Sequence, residues 1–482
     1  MAGNRQANPI DLQLQPGLFM QRSVRLSLGR YTNGDNVRWY RGLPQKMGGF
    51  KELALVDTNG NRVFYKGHAR SYKQWDSLDG NNWIAFGTEL KLYLINNGAL
   101  YDITPIRAST TLNNGFTTVA GSLVVNVLDP SHGAQAGDFV TYTGASAVGN
   151  ASFNQEFQIL TVVDADNYQI VLAAPASTSA TGGGMALAQY QLSIGLTSDG
   201  TLTGYGTGTY GTGTYGTPRT GSTFGGTARI WSLDNWGEDL LASPNGEGLY
   251  WWQRQAGPDS RALLRSTAPP NIEHMLVGPD DRHVLALGTN VLDASASTVN
   301  GQQDRMFVRW SQGDNFDVWV ETESNDAGAK RLDTGSRLVT ACKTRTSILI
   351  FSDEGLYTVS LAGGQDVYQI TPLGGSFKII SPGACVDVNG VVFFMGQKSF
   401  FYYDGTIQDL PCEVADYVFG SDATPRMNRQ MASKITARVR QETTEILWSF
   451  PSVDSDENDS TAIYNWTEKC WTVSSIKREV GG

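Results

Sequence analysis

The chain has 482 residues, of which only 17% are charged, and its formal net charge is −10. An excess of acidic residues argues against a protein that binds nucleic acid tightly through the nucleic-acid phosphates. It does not exclude a protein past which DNA moves, because an acidic surface repels phosphate. The four cysteines and four histidines have no metal-binding spacing, no stretch is long and apolar enough for a membrane span, and the N-terminus lacks the apolar run of a signal peptide. We therefore expect free thiols and folding in the cytoplasm.

The sequence predicts that residues 1–50 form an extended N-terminal arm, because prolines and glycines occur there too often for a long helix. A short strand within the arm carries Arg38, Trp39, Tyr40 and Arg41. We name these four residues as candidate contacts with a neighbouring subunit or another partner. The alternative is that the arm packs on its own chain.

Residues 51–115 predict the first part of a β-propeller. Apolar runs at 82–86, 90–95 and 99–103 are separated by short turns, and the second turn is Asn97-Gly98. Asn-Gly between apolar runs is the strongest short signal for a β-hairpin. These runs are typical of one propeller blade.

Residues 116–186 predict a small β-barrel inserted between propeller strands. Six acids and one base occur between Ala108 and Thr227, and small residues dominate. Short strands are predicted at 123–128, 139–142, 157–163 and 168–172, with polar turns between them. Exposed loop tips tolerate such insertions.

Residues 187–227 predict a Gly/Thr/Tyr-rich linker, in which Tyr205, Tyr210 and Tyr215 recur every five residues. The segment lacks the Gly-Lys-Ser/Thr ending of a phosphate loop. It is either a flexible return linker or a tyrosine-bearing loop that contacts a partner or lines a channel, since tyrosine gives large contact area at low entropy cost.

Residues 228–482 predict the second part of the propeller. Two hairpin patterns begin at Ile348 and Val391, 43 positions apart. Four-stranded blades repeat every ~40–45 residues. Across the whole chain we count about six blade-like units, so the predicted fold class is all-β, a β-propeller with an extended arm and an inserted barrel.

No pattern predicts a catalytic, metal or cofactor site. The acidic turn from Asp454 to Ser460 starts like a calcium loop, but Asp459 replaces the required glycine and Asn465 the final glutamate, so a solvated hairpin tip fits better. Tryptophans along the propeller strands fit stacking between blades better than a sugar-binding surface; they are Trp231, Trp236, Trp251, Trp252, Trp310 and Trp319. We predict that the protein is not an enzyme.

Several segments resemble the β-propeller tail hub, or nozzle, of short-tailed bacteriophages, also called the packaged-DNA stabilisation protein. They are Pro16-Gly17, Asp35–Phe50, Val308–Ser311, Asn315–Trp319, Phe401–Gly405 and Leu410–Cys412. The predicted barrel is similar to an insertion found in many phage tail proteins.

The resemblance implies a virion tail protein, assembled in the host cytoplasm as a ring that usually has six subunits. Such a ring lies below the portal and its adaptor, passes DNA through its bore in transit, and carries fibres or spikes. The alternative is a receptor- or glycan-binding tail protein that uses the inserted barrel or the tryptophan-rich faces. A third hypothesis is a propeller hydrolase of cell-wall sugars. Whether the arm closes the last blade stays open.

Overall fold

The computed structural model describes residues 14–21, 25, 27–48, 53–57, 59–200, 226–293, 298–362, 367–421, 424 and 426–476. Its regular structure is almost entirely β, and it confirms the predicted fold class: an all-β propeller protein with an inserted barrel-shaped sheet. The chain divides into two compact units. One lies within residues 53–333; the other combines the arm with residues 334–480.

The arm contains two pairs of short strands. Strands β1 (Gln15–Leu18) and β2 (Arg30–Tyr31) pair in parallel. Strands β3 (Val37–Tyr40) and β4 (Leu43–Lys46) form an antiparallel hairpin. The regular strands in the described part of the arm are therefore short and paired.

The first unit holds three four-stranded antiparallel blades, whose strands pair in chain order. Blade 1 consists of β5 (Ser71–Asp76), β6 (Asn82–Gly87), β7 (Leu92–Asn96) and β8 (Ala99–Asp102). Its last turn is the predicted one, with φ of 50° at Asn97 and 82° at Gly98, which are residue types that tolerate this left-handed conformation.

The same unit contains the inserted barrel-shaped sheet between blades 1 and 2. Its strands are β9 (Ile106–Asn113), β10 (Phe116–Thr118), β11 (Val124–Leu128), β12 (Phe139–Thr143), β13 (Glu156–Val162), β14 (Asn167–Val171), β15 (Ala180–Gly182) and β16 (Met185–Gln191). They are ordered β15-β10-β11-β14-β13-β12-β16-β9. The sheet therefore begins before the predicted start at residue 116 and ends after residue 186.

Blades 2 and 3 follow in the same unit, and their strands continue the numbering. They are β17 (Trp231–Trp236), β18 (Asp239–Pro244), β19 (Tyr250–Trp252), β20 (Leu263–Leu264), β21 (His274–Val277), β22 (Val284–Leu287), β23 (Phe307–Trp310) and β24 (Gly328–Arg331). A short 3₁₀ helix, Arg254–Ala256, follows β19. Fully buried strands such as β22 pack against the neighbouring blade within one apolar cluster.

A chain of buried hydroxyl groups crosses the barrel interior. The hydroxyl oxygens of Tyr142 and Tyr168 are 2.6 Å apart, and those of Tyr168 and Tyr190 are 2.8 Å apart. Tyr190 then donates to the carboxylate of Asp129 at 2.5 Å, and Thr110 donates to the same oxygen at 2.5 Å. Burial, reinforced by the neighbouring hydroxyl and carboxylate, raises the pKa of Tyr190 far above its ordinary value. This series of hydrogen bonds satisfies buried polar groups that would otherwise destabilise the barrel core.

A network of ion pairs joins the barrel to blade 1. The Lys91 ammonium, whose side chain is 3% exposed, contacts Asp102 at 2.6 Å and also Glu156 of the barrel. Lys66 contacts Glu156 at 2.9 Å, and Arg261 contacts Asp102 at 2.6 Å. Both lysines lie 4.5 Å from the ring centre of Phe139. The network thus ties the inserted barrel to the first blade through charges and an aromatic ring.

The second unit holds blades 4, 5 and 6 besides the arm. Their strands are β25 (Leu338–Lys343), β26 (Ser347–Ser352), β27 (Leu356–Leu361), β28 (Tyr368–Leu373), β29 (Cys385–Val388), β30 (Val391–Met395), β31 (Phe400–Tyr403), β32 (Ile407–Leu410), β33 (Thr436–Arg440), β34 (Glu445–Phe450), β35 (Ser460–Asn465) and β36 (Cys470–Ser474). Helix α1 is Ala415–Val418, and 3₁₀ helices span Arg429–Lys434 and Gln441–Thr443. The ring centre of Phe400 lies 4.8 Å from that of Trp448 and 4.7 Å from that of Trp471. These contacts join blades 5 and 6.

Candidate subunit-contact site

The candidate contact residues of the arm lie on the β3–β4 hairpin. Arg41 and Gly42 form its two-residue turn, with φ of 51° and 75°. Positive φ at both central residues matches the twist of the flanking strands, which favours a tight hairpin. Alternation along β3 then places neighbouring side chains on opposite faces. Trp39 is 3% exposed, whereas Tyr40 is 52% exposed.

One face of the hairpin is anchored on blade 6. Trp39 lies in the apolar cluster shared by blades 4 to 6. The ring of Tyr31 packs edge-on against the ring of Trp39, with ring centres 5.7 Å apart. Nε of Arg38 lies 3.3 Å from the carboxylate of Glu445, whose side chain is 1% exposed. Arg38 and Trp39 therefore hold the arm to its own chain, as the alternative prediction stated for the arm.

The arm lies alongside β36, the edge strand of blade 6. The Thr472 hydroxyl donates to the Val37 carbonyl at 2.6 Å, and the Asn36 amide donates to the Val473 carbonyl at 3.2 Å. At Gly17 the arm passes so close that an added Cβ would lie 2.8 Å from Cβ of Cys470. Unpaired edge strands invite aggregation, and the arm covers this one.

The opposite face of the hairpin is open to solvent. Tyr40 pairs across the turn with Leu43, which is 68% exposed, and every residue of β4 is exposed. The Arg41 guanidinium lies 5.2 Å from the ring centre of Tyr40. The turn itself is fixed, because the backbone amides of Arg41 and Gly42 donate to Glu468 at 2.8 and 3.2 Å. A rigid turn thus presents tyrosine, arginine and leucine outward.

The structure separates the predicted contact residues into two groups. Tyr40 and Arg41 are exposed, and Arg38 and Trp39 are anchors. Tyr205, Tyr210 and Tyr215 lie outside the described residues. Sequence reasoning missed Leu43, although its place directly after Arg41-Gly42 puts it opposite Tyr40 in any two-residue hairpin.

The acidic turn before β35 holds a lysine. The ammonium of Lys434, a residue 4% exposed, donates to the carbonyl of Asp456 at 2.6 Å and contacts Glu457 at 2.5 Å. Asp459 accepts from the amide and hydroxyl of Ser452 at 2.7 Å each. The turn is therefore an internal contact. In the part of the chain that the structure describes, no group of three or more His, Cys, Asp or Glu is placed to hold a metal ion.

The tryptophans on the propeller strands pack inside their unit. Trp231, Trp252, Trp310 and Trp319 are each at most 8% exposed. Trp236 and Trp251 are partly buried against Phe316, with ring centres 5.4 and 5.3 Å apart. The ring surfaces of these tryptophans pack against other residues of the unit, as we predicted for tryptophans that stack between blades.

Ser232 and His274 form a buried side-chain contact in the first unit. Oγ of Ser232 lies 3.1 Å from Nδ1 of His274, and burial lowers the pKa of His274 to about 4. A nucleophilic triad needs a carboxylate to orient the histidine. Asp234 instead accepts from Lys73 at 2.6 Å and from the amide of Val277 at 2.9 Å. The pair fits a buried hydrogen bond better than a catalytic dyad.

His283 lies between two carboxylates in blade 3. Its Nδ1 is 2.5 Å from Asp280, and its Nε2 is 3.2 Å from Asp326. Burial lowers the pKa of His283, but both carboxylates raise it, and the net change is upward. Next to it, Arg282 contacts Asp314 at 2.8 Å. The site brings together charged groups from the turn between β21 and β22 and from the segment between β23 and β24.

This geometry predicts a pH dependence of stability. The pKa of His283 in the folded state lies above the value of ~6.5 expected in the unfolded chain. Protonated His283 therefore stabilises the fold fully below that value, and the contribution disappears as pH rises through the folded pKa. We expect His283→Gln to be destabilising near pH 5.5 and close to neutral near pH 9, measured by urea unfolding. Arg282→Gln is the control, because an arginine side chain stays protonated throughout this range. Equal pH profiles of the two variants would contradict the prediction.

The four cysteines are free. Among the described residues, no helix has the length and apolar character needed to cross a membrane.

Comparisons with known proteins give no family assignment. No family model matches the chain, and no curated protein matches it. Among solved structures, it is similar to apo AztD from Citrobacter koseri, with 10% identity, 86% of this chain and 84% of that chain covered, and a TM-score of 0.33. A protein of unknown function from Desulfotomaculum acetoxidans shows 10% identity, coverage of 82% and 96%, and a TM-score of 0.33. The endosialidase of phage phi92 shows 11% identity, coverage of 79% and 53%, and a TM-score of 0.22. The chain thus spans about half the length of that endosialidase.

Proposed function

We propose that this protein is a structural, non-enzymatic component of the virion tail of a short-tailed bacteriophage. Copies of the chain, six in the proposed ring, form a nozzle or hub below the portal and its adaptor. DNA crosses the ring only in transit, and fibres or spikes attach around it. The ring is assembled in the host cytoplasm.

The observation that carries the proposal is the outward face of the arm hairpin. Tyr40, Arg41 and Leu43 stand on a turn whose two amides are fixed by Glu468. Tyrosine and arginine are the residue types that most often dominate protein–protein binding energy, and a fixed turn lowers the entropy cost of docking. The anchored arm therefore suits adhesion between copies.

Charge supports a second copy as the partner of the hairpin. The first 50 residues contain seven Lys or Arg and two Asp, whereas the rest of the chain contains 30 basic and 45 acidic residues. A basic arm meets an acidic body favourably when one copy approaches another. The low overall charge also suits a conduit that does not hold DNA.

A receptor-binding role is the second candidate, and the outer face of the barrel favours it. Leu128, Leu160 and Val163 are each more than half exposed there. The Gln169 amide donates to Asn126 at 2.8 Å on the same sheet. Retention of the wild-type chain on a glycan array, lost in Gln169→Ala with assembly intact, would favour this role.

Oligomer mass tests the nozzle proposal. We expect the wild-type chain to form a ring in electron micrographs and by native mass spectrometry. Tyr40→Ser combined with Leu43→Ser should weaken its assembly by about thirtyfold or more, because the loss of one hot-spot side chain costs ~2 kcal/mol. Leu78→Ser is the matched control, since Leu78 is 95% exposed on a turn of blade 1.

Two results would contradict the proposal at different levels. A wild-type chain that is monomeric at every concentration, and that antibodies do not find in purified phage tails, would overturn the nozzle function. A ring whose mass and stability are unchanged in the double variant would keep the function and remove the hairpin from the contact.

A further inference from the structure

Two of the four free cysteines meet at the junction of blades 4 and 5. Cys342 lies on β25, the first strand of blade 4, and Cys385 lies on β29, the first strand of blade 5. The two strands contact each other, and the two thiols form a side-chain hydrogen bond. Neither thiol is bonded in a disulfide. One unit of the chain thus holds a pair of reduced cysteines in contact.

The surroundings of this pair are apolar. Cys342 is 8% exposed and belongs to the apolar cluster of blades 4 to 6, and Cys385 packs against that cluster while it stays partly exposed. Leu349 lies opposite Cys342 on β26, and Phe394 lies opposite Cys385 on β30. Strand pairing holds both backbones in place, so the two sulfur atoms remain neighbours in the folded chain.

The two thiols differ in reactivity. The contact with Cys385, together with burial, raises the pKa of Cys342 well above its ordinary value. The thiolate is the nucleophile in thiol chemistry, so Cys342 is a poor first nucleophile. Cys385 is the more exposed of the two, and a small oxidant therefore reaches Cys385 first.

We propose that Cys342 and Cys385 form an oxidative cross-linking site, at which a low-molecular-weight disulfide such as glutathione disulfide converts the two thiols into a disulfide between blades 4 and 5. The Cys385 thiolate attacks one sulfur of glutathione disulfide, which gives a mixed disulfide and releases one glutathione thiolate. Deprotonated Cys342 then attacks the sulfur of Cys385 and displaces the second glutathione thiolate. The two cysteine protons end on the two glutathiones, so two cysteine thiols are oxidised and one disulfide is reduced.

The cross-link joins residues 43 positions apart. A disulfide of this span restricts the unfolded chain and so favours the folded one. A reducing cytoplasm keeps such a pair reduced, whereas an oxidising external medium allows the bond to form. The site does not depend on the tail function, because it concerns one unit of one chain.

Mass spectrometry of the full chain tests the site. The wild-type chain is reduced, freed of reductant and incubated with glutathione disulfide at about pH 8, where thiolates form more readily. We expect each chain to lose two hydrogen atoms. Trypsin under non-reducing conditions should then release Leu338–Lys343 joined to Ile379–Lys398, two peptides that contain Cys342 and Cys385 as their only cysteines. Dithiothreitol should separate the two peptides.

Urea unfolding supplies a second readout. Oxidation should lower the unfolding equilibrium constant of the wild-type unit about thirtyfold or more and leave that of Cys385→Ser unchanged. Cys412→Ser is the matched control and should keep both responses, because burial and nearby acidic residues, rather than a second thiol, raise the pKa of Cys412. Glutathione retained on Cys385 without a link to Cys342, a link that involves Cys412 or Cys470, or no oxidation of either thiol would overturn the proposal.

Discussion

Lys91→Met should lower the free energy of unfolding of the unit within residues 53–333 by about 3 kcal/mol at pH 7. The substitution leaves the carboxylates of Asp102 and Glu156 without their buried cation, although Arg261 and Lys66 still contact them. Methionine fills a similar volume, so packing over Phe139 is retained and the charge effect is isolated.

Lys66→Met provides a matched comparison. Lys66 contacts the same Glu156 and lies the same 4.5 Å from the Phe139 ring, but its side chain is 51% exposed. We expect it to cost less than about 1 kcal/mol, because exposed ion pairs are screened by water. Hydrogen exchange of blade 1 and barrel amides, followed by mass spectrometry, measures both variants. Equal losses would show that burial does not decide the effect.

The cost of Lys91→Met should also depend on pH. Burial raises the pKa of Asp102 and of Glu156, but the Lys91 ammonium and its neighbours outweigh burial, and both values end below normal. Their stabilising contribution is therefore present above the unfolded values of ~4 and is lost as pH falls through the folded values. The difference between wild type and variant should shrink from pH 7 toward about pH 3.

Asp129→Ala should lower the opening free energy of the barrel by about 2–3 kcal/mol, because it leaves the buried hydroxyls of Tyr190 and Thr110 without their acceptor. Asp129→Asn keeps the shape and one acceptor oxygen, so we expect a loss of about 1 kcal/mol. Hydrogen exchange of amides in β10 to β16 reports this opening directly.

Tyr142→Phe tests the other end of the hydroxyl chain. The Tyr142 hydroxyl contacts Tyr168 at 2.6 Å, so its removal breaks one link and leaves Asp129 satisfied. We expect a loss of about 1 kcal/mol or less. A loss in Tyr142→Phe as large as in Asp129→Ala would contradict the assignment of the carboxylate as the acceptor on which the chain ends.

The blade hairpins could be predicted because local sequence determines them. Runs such as Ile348–Phe351 and Val391–Phe394 combine β-branched and aromatic residues with short polar turns, and the structure has strands β26 and β30 there. Strand β9 escaped prediction because Ile106–Asn113 is rich in Ser and Thr and is mostly exposed or half-buried. Such a strand is specified by its partner β16 rather than by its own hydrophobic pattern.

The contact site was predictable in part. The alternation of side chains along β3 predicts that Trp39 and Tyr40 lie on opposite faces, but it does not predict which of them packs against the rest of the chain. That choice is made by residues such as Glu445 and Glu468, more than 400 positions away. No local pattern contains this information, and without homologous sequences a distant partner leaves no signal.

The arm leaves the ribosome before the blades, and its partner strand Cys470–Ser474 is translated more than 400 residues later. Hydrogen bonds such as that from Thr472 to Val37 join residues 435 positions apart, so they cannot form until the last strand of blade 6 has emerged. Throughout synthesis the Trp39 side chain lacks its burial site, while blades made earlier can already fold. Docking of the arm therefore marks the completion of blade 6, and it couples the display of Tyr40 and Leu43 to the synthesis of that blade.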